Sequence, residues 1–356
     1  MSKVIHIGSY DKFTTPLVEL INNKTNHYNI FIFNTNSEIH SIPKNTIIFG
    51  KTLKSRILFY FQIITKMNNA KKIIIHGLFD PLIALILILN KSNRNKYYWV
   101  LWGGDLYSLT NYNKILKKSI NKTLRFRAAK IIPNIVTYLK QDFTILCGLT
   151  NQSNKKMFDC LLYPSNIVEA EISTANSSPL YFEKEVKNEI IVVGNSGDPG
   201  NNHNEVFELL QKSKHNKASI YCPLGYGNKK YINQIIHKGK NKFSNNFHPI
   251  LEFIERNEYQ LFLNKIDILI YAHERQQGMG TLIYCLAMGK KIFLKENTSS
   301  YKFLTETGFN IGRLKDLNEI EIKISQLEHN KMLSKKVFSE DKLIATWCSI
   351  INATKK

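Results

Sequence analysis

One glycine-punctuated stretch of this sequence combines an arginine with the backbone pattern of an anion site. An apolar run at 266–271 predicts a buried strand, and the run at 282–288, closed by Gly289, predicts a short buried helix. Between them, glycine N–H groups can approach phosphate oxygens, the helix N-terminus adds positive potential, and a guanidinium adds charge-assisted hydrogen bonds. A plain strand-to-helix turn is the equally weighted alternative. The candidate residues are Glu274, Arg275, Gln276, Gln277, Gly278, Gly280 and Thr281.

Two further polar turns follow predicted strands in the same half of the chain. The first follows the apolar run 190–193, and the second follows the run 218–222. In a parallel sheet the carboxyl ends of the strands meet at one edge, so the three turns converge there. Each turn alone is more often structural, but together they favour a nucleotide pocket, in which the tyrosine stacks on a base or sugar. The candidates are Gly194, Asn195, Ser196, Gly197, Asp198, Gly225 and Tyr226.

The N-terminal half carries an acid and a histidine at predicted strand ends. His76 ends the isoleucine-rich run 71–76, and Asp105 follows the run 97–102. A carboxylate and an imidazole on adjacent strand ends are suited to proton transfer at a group-transfer site. The structural alternatives are that the histidine is simply hydrogen-bonded in place and that Asp105 caps a turn.

Strand-like and helix-like stretches alternate in two series along the chain. A polar stretch at 164–187 separates the two series and is the candidate linker, and the tail from residue 317 is predicted to be helical. Two β-α series in tandem predict two α/β domains, each with a parallel sheet. The predicted boundaries are 1–175, 186–330 and a C-terminal helix at 331–356.

The composition favours an anionic partner. The 356 residues include 49 Lys and Arg against 28 Asp and Glu, a formal charge of +21. The five cysteines lack zinc-site spacing, which indicates free thiols in a reducing compartment. The N-terminus lacks a signal-peptide pattern, and the longest apolar run, 82–89, is too short to span a bilayer. The expectation is a cytoplasmic protein that can rest on a membrane surface.

Four of these stretches together resemble a known family of bacterial glycosyltransferases. They match, in the same order and over nearly the whole chain, the TDP-4-acetamido-4,6-dideoxygalactose:lipid II transferases of glycosyltransferase family 56, which act in enterobacterial common antigen synthesis. The turn that contains Gly225 and Tyr226 matches as well. The four stretches are His76-Gly77 with Asp80-Pro81, Trp102-Gly103 with Asp105 to Tyr107, Val193 to Asp198, and Arg275 to Leu282.

The resemblance implies an α/β GT-B glycosyltransferase, with two Rossmann-like domains and the active site in the cleft between them. It implies an acceptor-binding N-terminal domain and a nucleotide-sugar-binding C-terminal domain. The donor is expected to be a dTDP-sugar, and the acceptor an undecaprenyl-pyrophosphate-linked saccharide at the cytoplasmic face of the bacterial inner membrane. No metal and no other cofactor is expected, in line with the lack of an Asp-x-Asp motif. Because residues 34–55 diverge from the family, another deoxyaminosugar, or an acceptor of O-antigen and lipopolysaccharide synthesis, stays open.

The family motifs then suggest roles for the candidates. Without a metal, the departing nucleoside diphosphate must be stabilised by a cation and backbone N–H groups, for which we select Arg275, Gly278, Gly280 and Thr281, helped by Asn195, Ser196 and Gly197. Glu274 either holds a sugar hydroxyl or is a solvated or capping residue. Asp105 is the first choice for the base that deprotonates the acceptor, and His76 is the second.

The anionic membrane surface is expected to be met by the basic helix predicted at 114–129. Its cationic residues are Lys114, Lys117, Lys118, Lys122, Arg125 and Arg127.

Two rival interpretations belong to other classes. One is a GT-B enzyme that uses another nucleotide sugar and a soluble acceptor. The other is a non-catalytic basic protein that binds nucleic acid, which would bind oligonucleotides with a steep salt dependence. The absence of a basic-aromatic recognition motif makes nucleic acid the least favoured partner.

Overall fold

A computed structural model describes residues 3–11, 14–25, 28–35, 42–110, 119–161 and 189–352. The chain forms two compact units. Unit 1 comprises Met1–Ser165 and Glu340–Lys356, and unit 2 comprises Asn166–Ser339. The whole candidate linker at 164–187, and with it the predicted domain boundary at 175–186, lies outside the described residues.

Unit 1 contains a seven-stranded sheet in the order β3-β2-β1-β4-β5-β6-β7, and every pairing is parallel. Its isoleucine-rich fourth strand is buried along its whole length, as a strand covered by helices on both faces must be. The strands are β1 (Lys3–Ser9), β2 (Tyr28–Asn34), β3 (Thr46–Phe49), β4 (Lys72–His76), β5 (Tyr97–Val100), β6 (Asn134–Val136) and β7 (Lys156–Phe158).

The helices of unit 1 follow the strands with local signals that the sequence makes visible. The third helix shows this best, because the Asp80 carboxylate accepts from the amides of Leu82 and Ile83 while Pro81 occupies the first helical position. The first six helices are α1 (Thr14–Lys24), α2 (Leu53–Met67), α3 (Pro81–Leu89), α4 (Gly104–Thr110), α5 (Ile120–Ile131) and α6 (Lys140–Thr150).

Unit 2 repeats the arrangement with six parallel strands in the order β10-β9-β8-β11-β12-β13. The strands are β8 (Ile190–Val193), β9 (Ser219–Pro223), β10 (Phe247–Ile250), β11 (Ile268–Tyr271), β12 (Lys291–Leu294) and β13 (Gly312–Arg313). The helices are α7 (His203–Gln211), α8 (Lys229–Phe243), α9 (Arg256–Lys265), α10 (Met279–Ala287), α11 (Ser299–Thr307) and α12 (Ile324–Val337).

Each sheet has a point at which the strand order reverses. In unit 1 the first strand, β1, lies between β2 and β4, and in unit 2 the first strand, β8, lies between β9 and β11. Ligands of such sheets bind beyond the carboxyl ends of the two strands that flank this point. In unit 2 these are the loops at 194–198 and 272–278.

The C-terminal tail is divided between the two units, which the sequence did not indicate. Helix α12 belongs to unit 2, whereas α13 (Glu340–Asn352) returns to unit 1. There the buried Trp347 ring stacks on His76 with centroids 5.8 Å apart, and the Lys72 ammonium donates to the Ile350 carbonyl. Among the described helices, none combines the length and the apolar character that a bilayer-spanning helix needs.

Candidate functional site

The loop after β8 requires glycine at two positions. Gly194 has a φ of +70°, and a Cβ there would lie 2.7 Å from Oδ1 of Asn201. At Gly197 a Cβ would lie 2.3 Å from the Ile232 side chain. The Gly197 amide donates to the Tyr226 carbonyl at 2.7 Å, so this loop is tied to the loop after β9. The glycines therefore stand where the folded loops leave no room for a side chain.

Asn201 is fully buried and joins the loops after β8 and β11. Its Oδ1 accepts from the Asn195 amide at 2.8 Å and from Nε2 of His273 at 3.0 Å. Its Nδ2 donates to Ser196 Oγ at 3.2 Å and to the Asp198 carbonyl at 3.1 Å. Sequence reasoning missed Asn201 and His273, because asparagine is common throughout this chain and nothing in their local pattern marks them.

The loop after β11 ends in a helix start that no side chain caps within the described residues. Gly278 precedes α10 with a φ of +69°, and a Cβ there would lie 2.9 Å from the Tyr271 ring and 3.1 Å from Nδ2 of Asn195. The first-turn amides of α10 therefore point out of the N-terminal end of the helix, and no capping side chain in the described part of the chain accepts hydrogen bonds from them. Such a terminus attracts anions.

Gly280 differs from Gly278 in a way that corrects one expectation. The sequence suggested that Gly280 is needed either for close phosphate approach or for its backbone angles. Gly280 lies in the first turn of α10, its φ is not positive, and a Cβ there would meet nothing within 4 Å. The backbone requirement therefore applies to Gly278, and only phosphate approach is left as a reason for Gly280. Thr281 follows in the same turn and is half-buried.

Arg275 is positioned by the loop after β8. Its Nη2 lies 3.4 Å from Oδ2 of Asp198, whose other oxygen accepts from the Gly200 amide at 2.7 Å. The Glu274 amide donates to the Gly200 carbonyl at 3.1 Å, and the Glu274 carboxylate lies 3.4 Å from Nδ2 of Asn202. The guanidinium is about one-third exposed and so combines a fixed place with access from solvent. The candidates of the two loops are therefore brought together.

Two buried polar side-chain atoms of these loops have no hydrogen-bond partner among the described residues. They are Oδ1 of Asn195, an acceptor, and Nε2 of Gln277, a donor. Each such atom costs about 1–3 kcal/mol unless a ligand or water satisfies it. Gln276, next to Gln277, is buried.

The loop after β9 supplies an exposed aromatic ring. Tyr226 is 62% exposed, although its backbone carbonyl is fixed by the Gly197 amide. Gly225, the preceding residue, must lack a side chain, because a Cβ would lie 2.8 Å from the Glu252 carbonyl oxygen. A rigid backbone with an exposed ring suits stacking on a planar group.

In unit 1, the Asp105 carboxylate is closed off from solvent and fully engaged. Its Oδ1 accepts from the amides of Trp102 and Leu106, each at 3.0 Å. Its Oδ2 accepts from the Leu78 amide at 3.0 Å and from Trp99 Nε1 at 2.7 Å. Burial raises the pKa of the carboxyl, while these hydrogen bonds oppose that change. The geometry favours the structural role for Asp105, since neither oxygen is left to receive a proton from a substrate.

The basic helix contributes to this internal arrangement. Arg125 donates from Nε to the Leu78 carbonyl at 2.6 Å, and from Nη2 to the Asp105 carbonyl at 3.0 Å and to Ser108 Oγ at 2.6 Å. This arginine is therefore engaged within unit 1 and is not available to a membrane. Helix α5 begins at Ile120, and the segment with Lys114, Lys117 and Lys118 lies outside the described residues. Lys122 is half-buried and Arg127 is exposed.

His76 belongs to a buried chain of hydrogen bonds whose direction can be assigned. Asn29 Nδ2 donates to Thr25 Oγ1, so Asn29 Oδ1 is the acceptor for Nε2–H of His6 at 3.3 Å. Nδ1 of His6 must then accept from Nε2–H of His76 at 3.0 Å. This leaves a lone pair on Nδ1 of His76, which is buried and has no partner among the described residues.

His6 and His76, the two histidines of this hydrogen-bond network, are both held neutral. Burial lowers the pKa of His6 to about 4, and burial together with the neighbouring His6 lowers the pKa of His76 well below its ordinary value. A neutral imidazole with a lone pair is the form that a general base requires, and the lowered pKa makes the His76 imidazole a weaker base than an exposed histidine.

Solved structures of several glycosyltransferases and related proteins share the fold. HepE of Anabaena, solved with UDP and glucose, aligns with a TM-score of 0.66 and 8% identity over 99% of this chain and 100% of that one. WaaG, a glycosyltransferase involved in lipopolysaccharide biosynthesis, gives 0.64 and 12% over 99% and 100%. The N-terminal domain of trehalose-6-phosphate phosphatase from Candida albicans gives 0.67 and 11% over 99% and 97%. The fold is that of the GT-B glycosyltransferases, as the sequence predicted.

The sequence identifies a family within the GT-B glycosyltransferases. Residues 11–355 match the family model described as 4-alpha-L-fucosyltransferase, glycosyl transferase group 56. The chain belongs to this family and is a glycosyltransferase.

Proposed function

We propose that the protein transfers a 4-acetamido-4,6-dideoxygalactose, or a related deoxyaminosugar, from a dTDP donor to an undecaprenyl-pyrophosphate-linked saccharide. The reaction would serve bacterial surface polysaccharide synthesis at the cytoplasmic face of the inner membrane. One observation carries the donor half of the proposal. The loops after β8 and β11, joined through Asn201, hold Arg275 beside the uncapped N-terminus of α10.

In this account, unit 2 binds the donor. Negative charge grows on the diphosphate as the sugar leaves, and Arg275 with the first-turn amides of α10 stabilises it. The solved structure of HepE with UDP supports a nucleoside diphosphate as the ligand class for this fold. Exposed Tyr226 would stack on the thymine or the ribose. Oδ1 of Asn195 and Nε2 of Gln277, which lack partners among the described residues, would take polar groups of the donor.

The sugar class is supported by the family description. Fucose is 6-deoxygalactose, and the family is described by fucosyl transfer. A 4-acetamido-4,6-dideoxygalactose keeps the same 6-deoxy carbon and the galactose-type ring. The deoxyaminosugar is thus a modest variation on the described chemistry.

Unit 1 is assigned the acceptor. The acceptor hydroxyl must lose its proton as it attacks the sugar carbon, and we assign this proton to Nδ1 of His76 rather than to Asp105. Nδ1 of His76 carries a lone pair without a partner among the described residues, whereas both oxygens of Asp105 already accept hydrogen bonds.

Melting of the protein with dTDP, UDP and GDP tests the donor class. A ligand at about a hundred times its Kd stabilises the folded protein by about 2.7 kcal/mol. We expect dTDP to raise the melting temperature most, and thymidine, which lacks the phosphates, to raise it much less at the same concentration. In a transfer assay, dTDP should be released from a dTDP-deoxyaminosugar only when a lipid-linked acceptor is present. Stabilisation by GDP alone, or turnover that is as fast with a soluble sugar acceptor, would contradict the proposal.

A further inference from the structure

Helix α2 exposes an apolar face to solvent. It buries Phe59, Ile63 and Met67 against the core of unit 1, as an amphipathic helix should. A second apolar row nevertheless lies on the outside of the same helix. We call this row the α2 apolar face, and its exposed fractions run from 47% to 75%: Leu53, Ile57, Phe61 and Ile64. The spacing of four, four and three residues places all four side chains on one side of the helix.

The apolar surface continues beyond the helix. Tyr60 donates its hydroxyl to Oδ2 of Asp80 at 2.8 Å, which holds α2 against the start of α3. Phe79, which precedes Asp80, and Leu82, in the first turn of α3, are 52% and 44% exposed. Contiguous exposed apolar surface of this kind marks an interaction site in soluble proteins.

The charge around this face selects its partner. Lys51, Lys54 and Arg56 are exposed at the N-terminal end of α2. No Asp or Glu occurs anywhere from residue 39 to residue 79. An apolar row beside cations, on a helix that contains no acidic residue, is the pattern of a helix that lies in the plane of an anionic lipid surface.

The location of the face fits the use of a lipid-linked substrate. Helix α2 starts four residues after β3 ends, so its N-terminal end lies at the carboxyl edge of the sheet. His76 ends β4 at the same edge of the same sheet, and the loop with Phe79 follows it. The cations of α2 therefore lie on the side of unit 1 at which the acceptor is proposed to bind.

We propose that unit 1 docks on anionic phospholipid through the α2 apolar face, with Lys51 and Lys54 at the headgroup phosphates. We commit to a bilayer rather than a protein as the partner because the cations lie beside the apolar row and α2 itself contains no Asp or Glu. The nearby Asp80 carboxylate is engaged by the Tyr60 hydroxyl and by the first amides of α3. The docking rests on the proposed function only in its purpose, which is to bring the acceptor site to a lipid-linked saccharide. It replaces the basic helix α5 as the expected contact, since Arg125 is engaged within the unit.

Sedimentation of the full chain with vesicles tests the proposal. The parent should bind vesicles of phosphatidylglycerol and phosphatidylethanolamine, and bind vesicles of phosphatidylcholine weakly. Ile57→Gln with Phe61→Gln should lower partitioning by at least about a hundredfold, because two side chains no longer enter the acyl boundary. Lys51→Gln with Lys54→Gln should lower it by about fivefold per lysine on anionic vesicles and leave binding to phosphatidylcholine unchanged.

A matched control comes from unit 2. Ile324 and Met332 on α12 are 80% and 67% exposed, so Ile324→Gln with Met332→Gln removes similar apolar surface from another helix and should not change partitioning. Unchanged vesicle binding by the folded Ile57 and Phe61 variant overturns the proposal. So does a parent dimer in sedimentation velocity that becomes a monomer in this variant, because the face would then join two copies of the chain.

Calorimetry with dTDP on the same variants separates this proposal from the proposed function. Docking variants should bind dTDP as the parent does. A parent that binds vesicles through α2 but does not bind dTDP would sink the donor assignment and leave the docking intact. The reverse result, dTDP binding with vesicle binding that ignores the α2 substitutions, would sink only the docking.

Discussion

Replacing Asp105 by Asn is expected to lower the free energy of unfolding by about 3–5 kcal/mol. An amide has one acceptor oxygen and one NH₂ group, and each carboxylate oxygen here accepts from two N–H groups. One amide orientation sets NH₂ against Trp102 and Leu106, and the other sets it against Leu78 and Trp99. In either orientation, therefore, the NH₂ group of the asparagine faces two N–H donors and can accept from neither. Urea unfolding followed by tryptophan fluorescence measures the loss.

Asp80→Asn is the matched control for this substitution. Asp80 caps α3 from the same loop region, and asparagine is about as good a cap as aspartate. The NH₂ group of the asparagine can donate to the Tyr60 hydroxyl, which in the parent donates to Asp80, so a change within about 0.5 kcal/mol is expected. Turnover of Asp105→Asn should fall together with the folded fraction. A variant that keeps the parent's stability and loses about a hundredfold in turnover would show instead that Asp105 is the base.

Removal of the Arg275 guanidinium is expected to weaken dTDP binding by about ten- to a hundredfold, since a charge-assisted hydrogen bond contributes about 1.5–3 kcal/mol. Arg275→Lys should recover only part of the affinity, because lysine keeps the charge and loses the planar fork. Isothermal titration calorimetry with dTDP gives both values. Thymidine, which has no phosphates, should bind the variants and the parent alike.

The ion pair with Asp198 makes this experiment sharper. Arg275→Ala leaves the Asp198 carboxylate without its cation near the diphosphate, so part of the loss is repulsion. Adding Asp198→Asn to Arg275→Ala removes this negative charge and should therefore recover some dTDP affinity. The loop should keep its conformation, because the asparagine can still accept from the Gly200 amide. Arg313→Ala is the control, since Arg313 pairs with the buried carboxylate of Asp316 in the same unit and its loss should not change dTDP affinity. An equal loss of dTDP affinity in Arg313→Ala would show that Arg275 has no specific role in binding the diphosphate.

The fold was predictable wherever a local pattern determines the element. The run of isoleucines in β4 predicts a strand covered on both faces, and Asp80-Pro81 predicts the start of α3. The three glycine turns follow strands of one parallel sheet, so their convergence at one edge follows from topology alone. The sequence alone suggests a strand near 250–253, but β10 runs from Phe247 to Ile250, because the ends of short edge strands carry little local signal.

The remaining features depend on contacts between distant residues. Asn201 is one asparagine among many until both loops are folded around it, and only then does it make four hydrogen bonds. The return of α13 to unit 1 is set by Trp347 packing on His76, which lies hundreds of residues away in the sequence. Likewise, the sequence Gly278-Met279-Gly280 does not say which glycine has a positive φ.

The most direct test of the donor site is calorimetry of Gly280→Val with dTDP, with Gly148→Val as its partner. Both glycines lie in helices, and a Cβ at either meets nothing within 4 Å, so the two variants should lose similar stability. If the diphosphate lies on the first turn of α10, Gly280→Val should lower dTDP affinity by at least about tenfold, or 1.4 kcal/mol, while Gly148→Val binds as the parent does. A valine side chain at position 280 would obstruct a phosphate on the first turn of α10. Unchanged dTDP affinity in a folded Gly280→Val would therefore contradict the account, because the diphosphate could not then bind at this end of the helix.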